Sequence, residues 1–344
     1  MFIKLGNKLP VIKVVGIGGF GKRTIQEMIL SKRFDDIDFI TISPDKDGPP
    51  LNEAITNIVL SNTPDKSSIL ENSYTKWEEI ALESKEIIKE HLTNVDILFI
   101  SCNEGKGFST GVAPVVAKIA SECGALVIAV VTIPFKIEGK RRRTVAEKGI
   151  ELLKQSAGTT IIVNKQRIFE NIVKGTLLTK AYGQVKAPLY QSIEIISKII
   201  RVAELINIDL ADLKLIMGSG TLGFIGEGIG TGDVNVRSQQ ALEQAFSFPL
   251  TDNSINEAKN ILFNITGSRD LAMSEIEDIA KIIAKSTHKN ANVKFGVTID
   301  EEMAGKVKVT IIATSMNGER SLKDSDCLSK LMNLDIPMES CRTS

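Results

Sequence analysis

Two glycine-rich stretches have residue types and spacings that suit phosphate binding. The first, Gly16-Ile17-Gly18-Gly19-Phe20-Gly21, follows the apolar run Val11–Val15, and the second, Gly105–Gly111, follows the apolar run Val95–Ser101. Glycine allows a tight turn, and a turn at the start of a helix leaves unpaired backbone N–H groups that face an anion. Both stretches therefore predict turns that hold phosphate groups.

The first stretch alone fits several roles. Its Gly-x-Gly-x-x-Gly spacing is that of dinucleotide-binding proteins, with Asp45 near the end of the second strand. Gly21-Lys22 resembles part of a P-loop, but Arg23 stands where that loop needs Ser or Thr for magnesium. A purely structural turn is a third alternative. The second stretch favours a nucleoside triphosphate, because a dinucleotide fold needs no further phosphate-cradling loop on a later strand.

Composition and charge limit the class of protein. The chain has 344 residues, of which 43% are hydrophobic and 24% charged, so it can bury a substantial core. Lys and Arg together number 42, and so do Asp and Glu. A broad nucleic-acid surface usually needs a basic excess, so no nucleic-acid partner is expected.

The cysteines, histidines and apolar runs exclude other classes. None of the four cysteines belongs to a C-x-x-C pair, which favours free thiols in a reducing cytosol. His91 and His288 are far apart in the chain, so a histidine-based metal site is not expected. No run of eighteen apolar residues occurs, so we expect a cytoplasmic protein without direct membrane insertion.

Strands and helices that alternate along the chain must position the two glycine stretches. The patterns predict strands at Val11–Val15, Asp38–Ile42, Val95–Ser101, Leu126–Thr132 and Thr160–Val163. They predict helices at Thr24–Leu30, Tyr74–His91, Pro114–Cys123 and Thr144–Gln155. This alternation implies a parallel, doubly wound sheet.

The second half of the chain has a different pattern. A long amphipathic helix is predicted to begin at Pro188 and to run to about Leu205, because an interior proline costs roughly 3 kcal/mol. Further strands are predicted at Asn260–Thr266, Asn292–Ile299 and Lys306–Ala313. From Asn317 onward the sequence is polar and weakly patterned, which indicates a flexible tail.

Motifs in order along the chain resemble those of FtsZ, the bacterial relative of tubulin, over roughly residues 11–316. The first glycine stretch resembles the opening motif of that family, and Gly105–Gly111 resembles its GGGTGTG signature. The other matching segments are Pro134–Arg142 (PFxFEG followed by basic residues), Asn207-x-Asp209-x-x-Asp212 (NxDxxD), Asn264–Gly267 with Asp270-Leu271, and the tail peptide Leu334–Pro337.

The resemblance implies an α/β fold of the tubulin/FtsZ type. We expect a GTPase domain with a doubly wound parallel sheet at residues 11–180 and a long central helix at 181–206. A smaller α/β C-terminal domain is expected at 207–316, and a flexible tail at 317–344. It also implies longitudinal filaments, made with copies of itself or with an orthodox FtsZ, and membrane-tether division proteins as partners of Leu334–Pro337.

The resemblance further implies GTP or GDP as ligand, with or without Mg²⁺. The next subunit of a filament would supply Asn207, Asp209 and Asp212 as catalytic residues, and the alternative role of that stretch is an Asx turn with solvated charges. Tyr182 would stack on the base, and Lys106 is either a phosphate contact or solvated. The implied nucleotide contacts are Gly18, Gly19, Gly21, Lys22, Arg23, Gly105, Lys106, Gly107, Thr110, Gly111, Glu138, Arg142 and Tyr182.

Departures from the family pattern lie mainly around the nucleotide. Phe108 replaces a Thr that meets the terminal phosphate, and Ser109 replaces a Gly, which predicts strain if that position needs positive φ. Lys186 and Ala187 replace the Asn and Asp at the base, and losing that acceptor costs on the order of 2–3 kcal/mol. Lys22 and Arg23 replace residues that are commonly Asn.

These departures lead to one preferred hypothesis and two alternatives. The preferred one is an FtsZ-like cell-division subunit, acting at the division site, whose own GTP binding or hydrolysis is weakened or lost. It would still supply the Asn207–Asp212 stretch to its neighbour. The first alternative is a fully active, ring-forming GTPase. A remote one is an NAD-dependent oxidoreductase, which is disfavoured because neither histidine lies in a motif.

Overall fold

A computed structural model describes residues 9–34, 36–44, 55–60, 74–170, 172–173, 175–201, 206, 208–218, 221–247, 255 and 258–316. Within these ranges the strands are β1 (Ile12–Ile17), β2 (Asp38–Ser43), β3 (Ile55–Val59), β4 (Ile97–Asn103), β5 (Leu126–Ile133), β6 (Thr159–Asn164), β7 (Thr221–Thr231), β8 (Asn260–Gly267), β9 (Asn292–Ile299) and β10 (Lys306–Met316). The helices are α1 (Gly18–Leu30), α2 (Tyr74–Glu83), α3 (Lys85–Leu92), α4 (Gly107–Glu122), α5 (Lys140–Ser156), α6 (Lys165–Glu170), α7 (Leu178–Arg201), α8 (Leu210–Met217), α9 (Val234–Ser247) and α10 (Met273–Lys285).

The described strands form one sheet in the order β3-β2-β1-β4-β5-β6-β7-β10-β8-β9. Strands β1 to β6 pair only in parallel, and β7 joins them by a short parallel contact at Thr159 and Thr160. Strand β10 then pairs antiparallel with both β7 and β8. All eight predicted strands are present, with bounds shifted by at most three residues.

Alternate side chains of the strands point into separate hydrophobic layers. Val14 of β1 packs in one layer with residues of α1, α7 and α8, whereas Val15 packs in the other layer with residues of α2 to α5. Successive strand residues face opposite sides of a sheet, so both layers follow from the apolar runs. Helices thus cover both faces, and the predicted doubly wound α/β fold is confirmed.

The prediction that the long helix begins at Pro188 is wrong. Helix α7 begins at Leu178 and continues through Pro188 to Arg201. Val185, Leu189 and Ile193, which flank the proline, are buried in the same layer. Burial of this apolar face outweighs the single backbone hydrogen bond that a proline removes.

A third hydrophobic layer lies between the C-terminal part of the sheet and α9 and α10. Strand β7 contains Gly226, Gly228 and Gly230, and a Cβ at any of them would lie within 2.2 Å of a carbonyl oxygen of α9. Glycine is therefore required for the helix to rest directly on this strand. The sequence patterns did not reveal β7, because glycine weakens a strand pattern.

A buried ion-pair network fixes α9. Arg237, 2% exposed, donates to both carboxylate oxygens of Glu275 at 2.7 and 2.8 Å and to Asp270 at 2.6 Å. Glu275 also accepts from Ser238 at 3.0 Å. These contacts tie α9 to α10 and to the segment that leads into it.

We predict that Arg237→Met destabilises the chain by about 3–5 kcal/mol, because it leaves the buried Glu275 carboxylate without its cation. The measurement is the free energy of unfolding from urea titrations. Lys281→Met is the matched control, since Lys281 pairs with Glu277 on the exposed face of α10, and it should cost less than about 1 kcal/mol. Equal losses in the two variants would contradict the assigned role of the network.

Candidate functional site

The first glycine stretch forms the junction between β1 and α1. Gly18 begins α1 with a φ of +69°, and no side chain caps this helix. A Cβ at Gly16 would lie 2.5 Å from the Gly21 carbonyl oxygen, so the end of β1 is in direct contact with the backbone of the first turn of α1. Gly19 is exposed, and the half-buried Lys22 and exposed Arg23 follow in α1. The amino-terminal end of α1, a favourable place for an anion, thus lies at the carboxyl edge of the sheet.

The second glycine stretch repeats this arrangement after β4. Helix α4 begins at Gly107, and its exposed flanking residue Lys106 makes no capping hydrogen bond. Gly105 has a φ of +90°, and a Cβ at Gly111 would lie 2.1 Å from the Tyr74 carbonyl oxygen. Gly105 and Gly111 are therefore required by backbone geometry and packing. Lys106 is exposed and Gly107 and Phe108 are half-buried, so these three members of the loop reach the surface.

Thr110, which was predicted to contact the nucleotide, points its hydroxyl into the protein. The hydroxyl donates to the Glu104 carboxylate at 2.6 Å and accepts from the Gly105 amide at 3.2 Å. Glu104 is fully buried and also accepts from the Cys102 thiol at 3.2 Å. Burial raises the pKa of Glu104, and these two hydrogen bonds offset only part of that effect.

The predicted strain at Ser109 does not occur. Ser109 lies in the first turn of α4, and the described non-glycine residues with positive φ are Lys32 and Asn94. The Ser109 hydroxyl donates to the Asn103 carbonyl oxygen at 2.6 Å. The serine is thus accommodated because α4 begins two residues earlier, at Gly107.

Glu138 and Arg142 lie at the same edge, after β5. The Glu138 carboxylate accepts from the Phe135 amide at 2.9 Å and from Arg142 at 3.0 Å, and the Lys165 ammonium lies 3.4 Å from it. Burial raises the pKa of Glu138, but the Phe135 amide, Lys165 and Arg142 outweigh burial and hold that pKa below its usual range.

Lys165 is a candidate site residue that the sequence analysis missed. Its buried ammonium donates to the Asn103 side chain at 2.9 Å and lies 5.0 Å from the centre of the Phe135 ring. Burial lowers the pKa of Lys165, and Glu138 opposes this shift. Lys165 directly follows β6, so the rule that ligands bind at the carboxyl ends of parallel strands would have identified it.

The residues predicted around the base form a contact between α1 and α7. Lys186 pairs with Glu27 of α1, and the Tyr190 hydroxyl donates to the same carboxylate at 3.1 Å. Ala187 provides no side-chain acceptor. The side chain of Tyr182 lies outside the described part of the chain.

Asp209 and Asp212 lie at the opposite end of the molecule from the glycine turns. They form a reciprocal cap at the start of α8, in which the Asp212 amide donates to Asp209 at 2.8 Å, and Lys294 pairs with Asp212 at 3.1 Å. Helix α8 contacts the amino ends of β5 and β6: Lys214 donates to the Gly124 carbonyl oxygen and Thr159 to that of Met217. Asn207 lies outside the described residues.

The distance between the two ends follows from α7. This helix begins beyond α6, which follows the carboxyl end of β6, and it precedes α8 at the amino ends of the strands. Its 24 residues span about 36 Å. The glycine turns and the two carboxylates therefore do not meet within one chain.

These features define an α/β protein with two uncapped helix starts at one edge of the sheet and a separate, carboxylate-bearing end. Comparison with known families agrees: a model of the tubulin/FtsZ GTPase domain matches residues 11–173, and a model of the FtsZ C-terminal domain matches residues 223–317. The chain belongs to the tubulin/FtsZ family.

Solved structures support this assignment. An empty FtsZ dimer from M. jannaschii is 31% identical, with a TM-score of 0.72 over 90% of this chain and 88% of that chain. A GTPγS-bound protofilament of CetZ2 from Haloferax volcanii also gives a TM-score of 0.72, over 94% of this chain and 96% of that chain. That protein is 14% identical, so it shows a shared fold alone.

The described residues contain no helix that is both long and apolar enough to cross a membrane. They also contain no cluster of three or more His, Cys, Asp or Glu side chains arranged to hold a metal ion.

We predict that Glu104→Gln stabilises the chain at neutral pH. Because the pKa of Glu104 is higher in the folded chain than its ordinary value of 4.5, the folded state binds more protons above pH 4.5. Wild-type stability therefore falls as pH rises through this window. The measurement is the free energy of unfolding from urea titrations at pH 4.5, 6 and 7.5. The difference between Glu104→Gln and wild type should grow with pH to about 1–3 kcal/mol.

The control for this measurement is Glu90→Gln, which removes an exposed carboxylate from α3. It should keep the wild-type dependence of stability on pH. Parallel profiles for wild type and Glu104→Gln would show that the buried carboxyl is not destabilising.

Proposed function

We propose that this protein is an FtsZ-like cytoskeletal subunit that assembles head to tail. The observation that carries this proposal is the position of the phosphate-binding edge and of Asp209 and Asp212 at opposite ends of one molecule. A head-to-tail contact that does not close into a ring produces an open filament, and it brings these two ends together. The M. jannaschii FtsZ dimer and the Haloferax CetZ2 protofilament support self-assembly.

In such a filament, each active centre is shared by two subunits. The amino-terminal ends of α1 and α4, with Lys106 and Arg142, would hold the phosphates of GTP or GDP. Asp209 and Asp212 of the neighbouring subunit would orient the attacking water, and Asn207 would help to position it. Hydrolysis would then require assembly.

We also propose that the chain's own GTP hydrolysis is weakened. Phe108 cannot donate to a phosphate, and Thr110 donates to Glu104 instead. At the base, Ala187 offers no acceptor and Lys186 is paired with Glu27. The end with Asp209 and Asp212 carries no comparable change, so this chain would serve a neighbour's site better than its own.

A fully active GTPase is the second candidate. The retained Glu138–Arg142 pair and the uncapped helices α1 and α4 favour it. For this candidate, turnover by the purified chain should rise steeply with protein concentration. If GTP turnover by the purified chain stays at background at every protein concentration, the result favours the proposal of a subunit with weakened hydrolysis.

The cellular role is part of the proposal. We place the protein in the cytoplasm at the division site, with membrane-tether proteins bound to Leu334–Pro337, a peptide outside the described residues. The four segments predicted from the sequence (11–180, 181–206, 207–316 and 317–344) remain our proposed division of the chain.

The test is a mixture with an orthodox FtsZ that hydrolyses GTP. We expect the wild-type chain to change the rate of phosphate release per orthodox subunit by at least about twofold, because it completes active centres in mixed filaments. Asp212→Asn should abolish its support of hydrolysis while it still sediments with the filaments, since the amide keeps the helix-capping geometry.

The control is Asp278→Asn, which removes an exposed carboxylate from α10, far from α8. It should behave as the wild type does in both release and sedimentation. If the wild-type chain neither sediments with the orthodox protein nor changes its rate, or if Asp212→Asn acts like wild type, the proposed contribution of this end is wrong.

A further inference from the structure

The ring of Phe108 lies between the amino-terminal ends of α1 and α4. Phe108 is the second residue of α4, and a Cβ on Gly18, the first residue of α1, would lie 3.5 Å from its ring. An anion placed between the two helix ends would benefit from both sets of backbone N–H groups and from both helix dipoles. An apolar ring occupies this position instead.

The Phe108 ring also packs against the ring of Trp77. The two rings are 4.8 Å apart between centroids and nearly perpendicular, at 79°, which is a favourable edge-to-face arrangement. Trp77 is buried in α2, and its Cβ would lie 3.0 Å from a Cβ on Gly111. Moving the Phe108 ring outward would break this contact and expose apolar surface.

We propose that Phe108 limits the length of the phosphate chain that the site accepts, so that the chain binds a diphosphate in preference to a triphosphate. This inference rests on the proposed nucleotide site. The exposed Gly19 and Lys106 and the half-buried Lys22 remain accessible to the first two phosphates. A third phosphate would have to displace the ring from between Gly18 and Trp77, at the cost of burying less apolar surface.

The preference has a mechanistic consequence for the filament. A subunit that holds a diphosphate has no terminal phosphate for its neighbour's carboxylates to act on. The contact between its nucleotide site and the neighbouring subunit would then resemble the state after hydrolysis as soon as the filament assembles. Phe108 is thus a specificity-determining residue and not a catalytic one.

Binding to the purified full-length chain tests the proposal. Calorimetric titrations with GDP and GTP, in excess Mg²⁺ and at concentrations too low for assembly, should give at least about tenfold tighter binding of GDP. Phe108→Ala should bring the two affinities within about threefold by strengthening GTP binding. Trp77 is the single tryptophan of the chain, so its fluorescence offers an independent readout at this contact.

Inorganic pyrophosphate and tripolyphosphate separate the effect of the phosphate chain from that of the base. They should show the same order as GDP and GTP if Phe108 acts on chain length. Phe246→Ala, in the distant helix α9, is the matched control and should keep the wild-type ratio. Phe108→Leu, which keeps apolar packing but lacks the ring, replaces Phe108→Ala if that variant does not fold.

Several results would overturn the proposal. These are a wild-type chain that binds GTP as tightly as GDP, a ratio that no Phe108 variant changes, and a chain that binds none of the four ligands with or without Phe108. A preference seen with nucleotides but not with the inorganic ligands would contradict a limit set by the length of the phosphate chain alone. Because the titrations use unassembled protein, failure of the mixed-filament test would leave this preference standing.

Discussion

The length of α7 and its shared core set the distance between the two functional ends. One layer of buried side chains contains residues of β1, β4 and β5, of α7 and α8, and of β8 and β10. The N-terminal and C-terminal parts of the sheet therefore share one hydrophobic core with α7 and α8. Since close-packed interiors deform little, the edge with the glycine turns and the carboxylate end are held at a fixed separation. Two subunits, stacked end to end, are the simplest way to bring them together.

Close backbone contacts shape both the edge and the C-terminal part of the sheet. Gly16 and Gly21 let the first turn fold back on itself, and Gly226, Gly228 and Gly230 let α9 lie directly on β7. The first set was visible in the sequence because it follows a strand and precedes a helix. The second set was not, because a strand broken by glycines has neither of the usual periodicities.

The sequence predicted the parallel sheet and the two glycine turns at its carboxyl edge, since both depend on local patterns that are strong in this chain. It did not predict the path of α7 through Pro188, because tertiary burial outweighs a local penalty there. It also missed Lys165, and it did not show that the Thr110 hydroxyl faces Glu104. Side-chain direction depends on partners that are distant in the sequence, or on a neighbouring buried charge, and no spacing rule reveals it.

Three of the residues that depart from the family pattern have partners within the fold. Ser109 donates to the Asn103 carbonyl oxygen, Lys186 pairs with Glu27, and Phe108 packs on Trp77. Buried polar groups without partners are costly, so the contacts of Ser109 and Lys186 stabilise these side chains at the edge. The geometry of this edge therefore depends in part on contacts among the chain's own side chains.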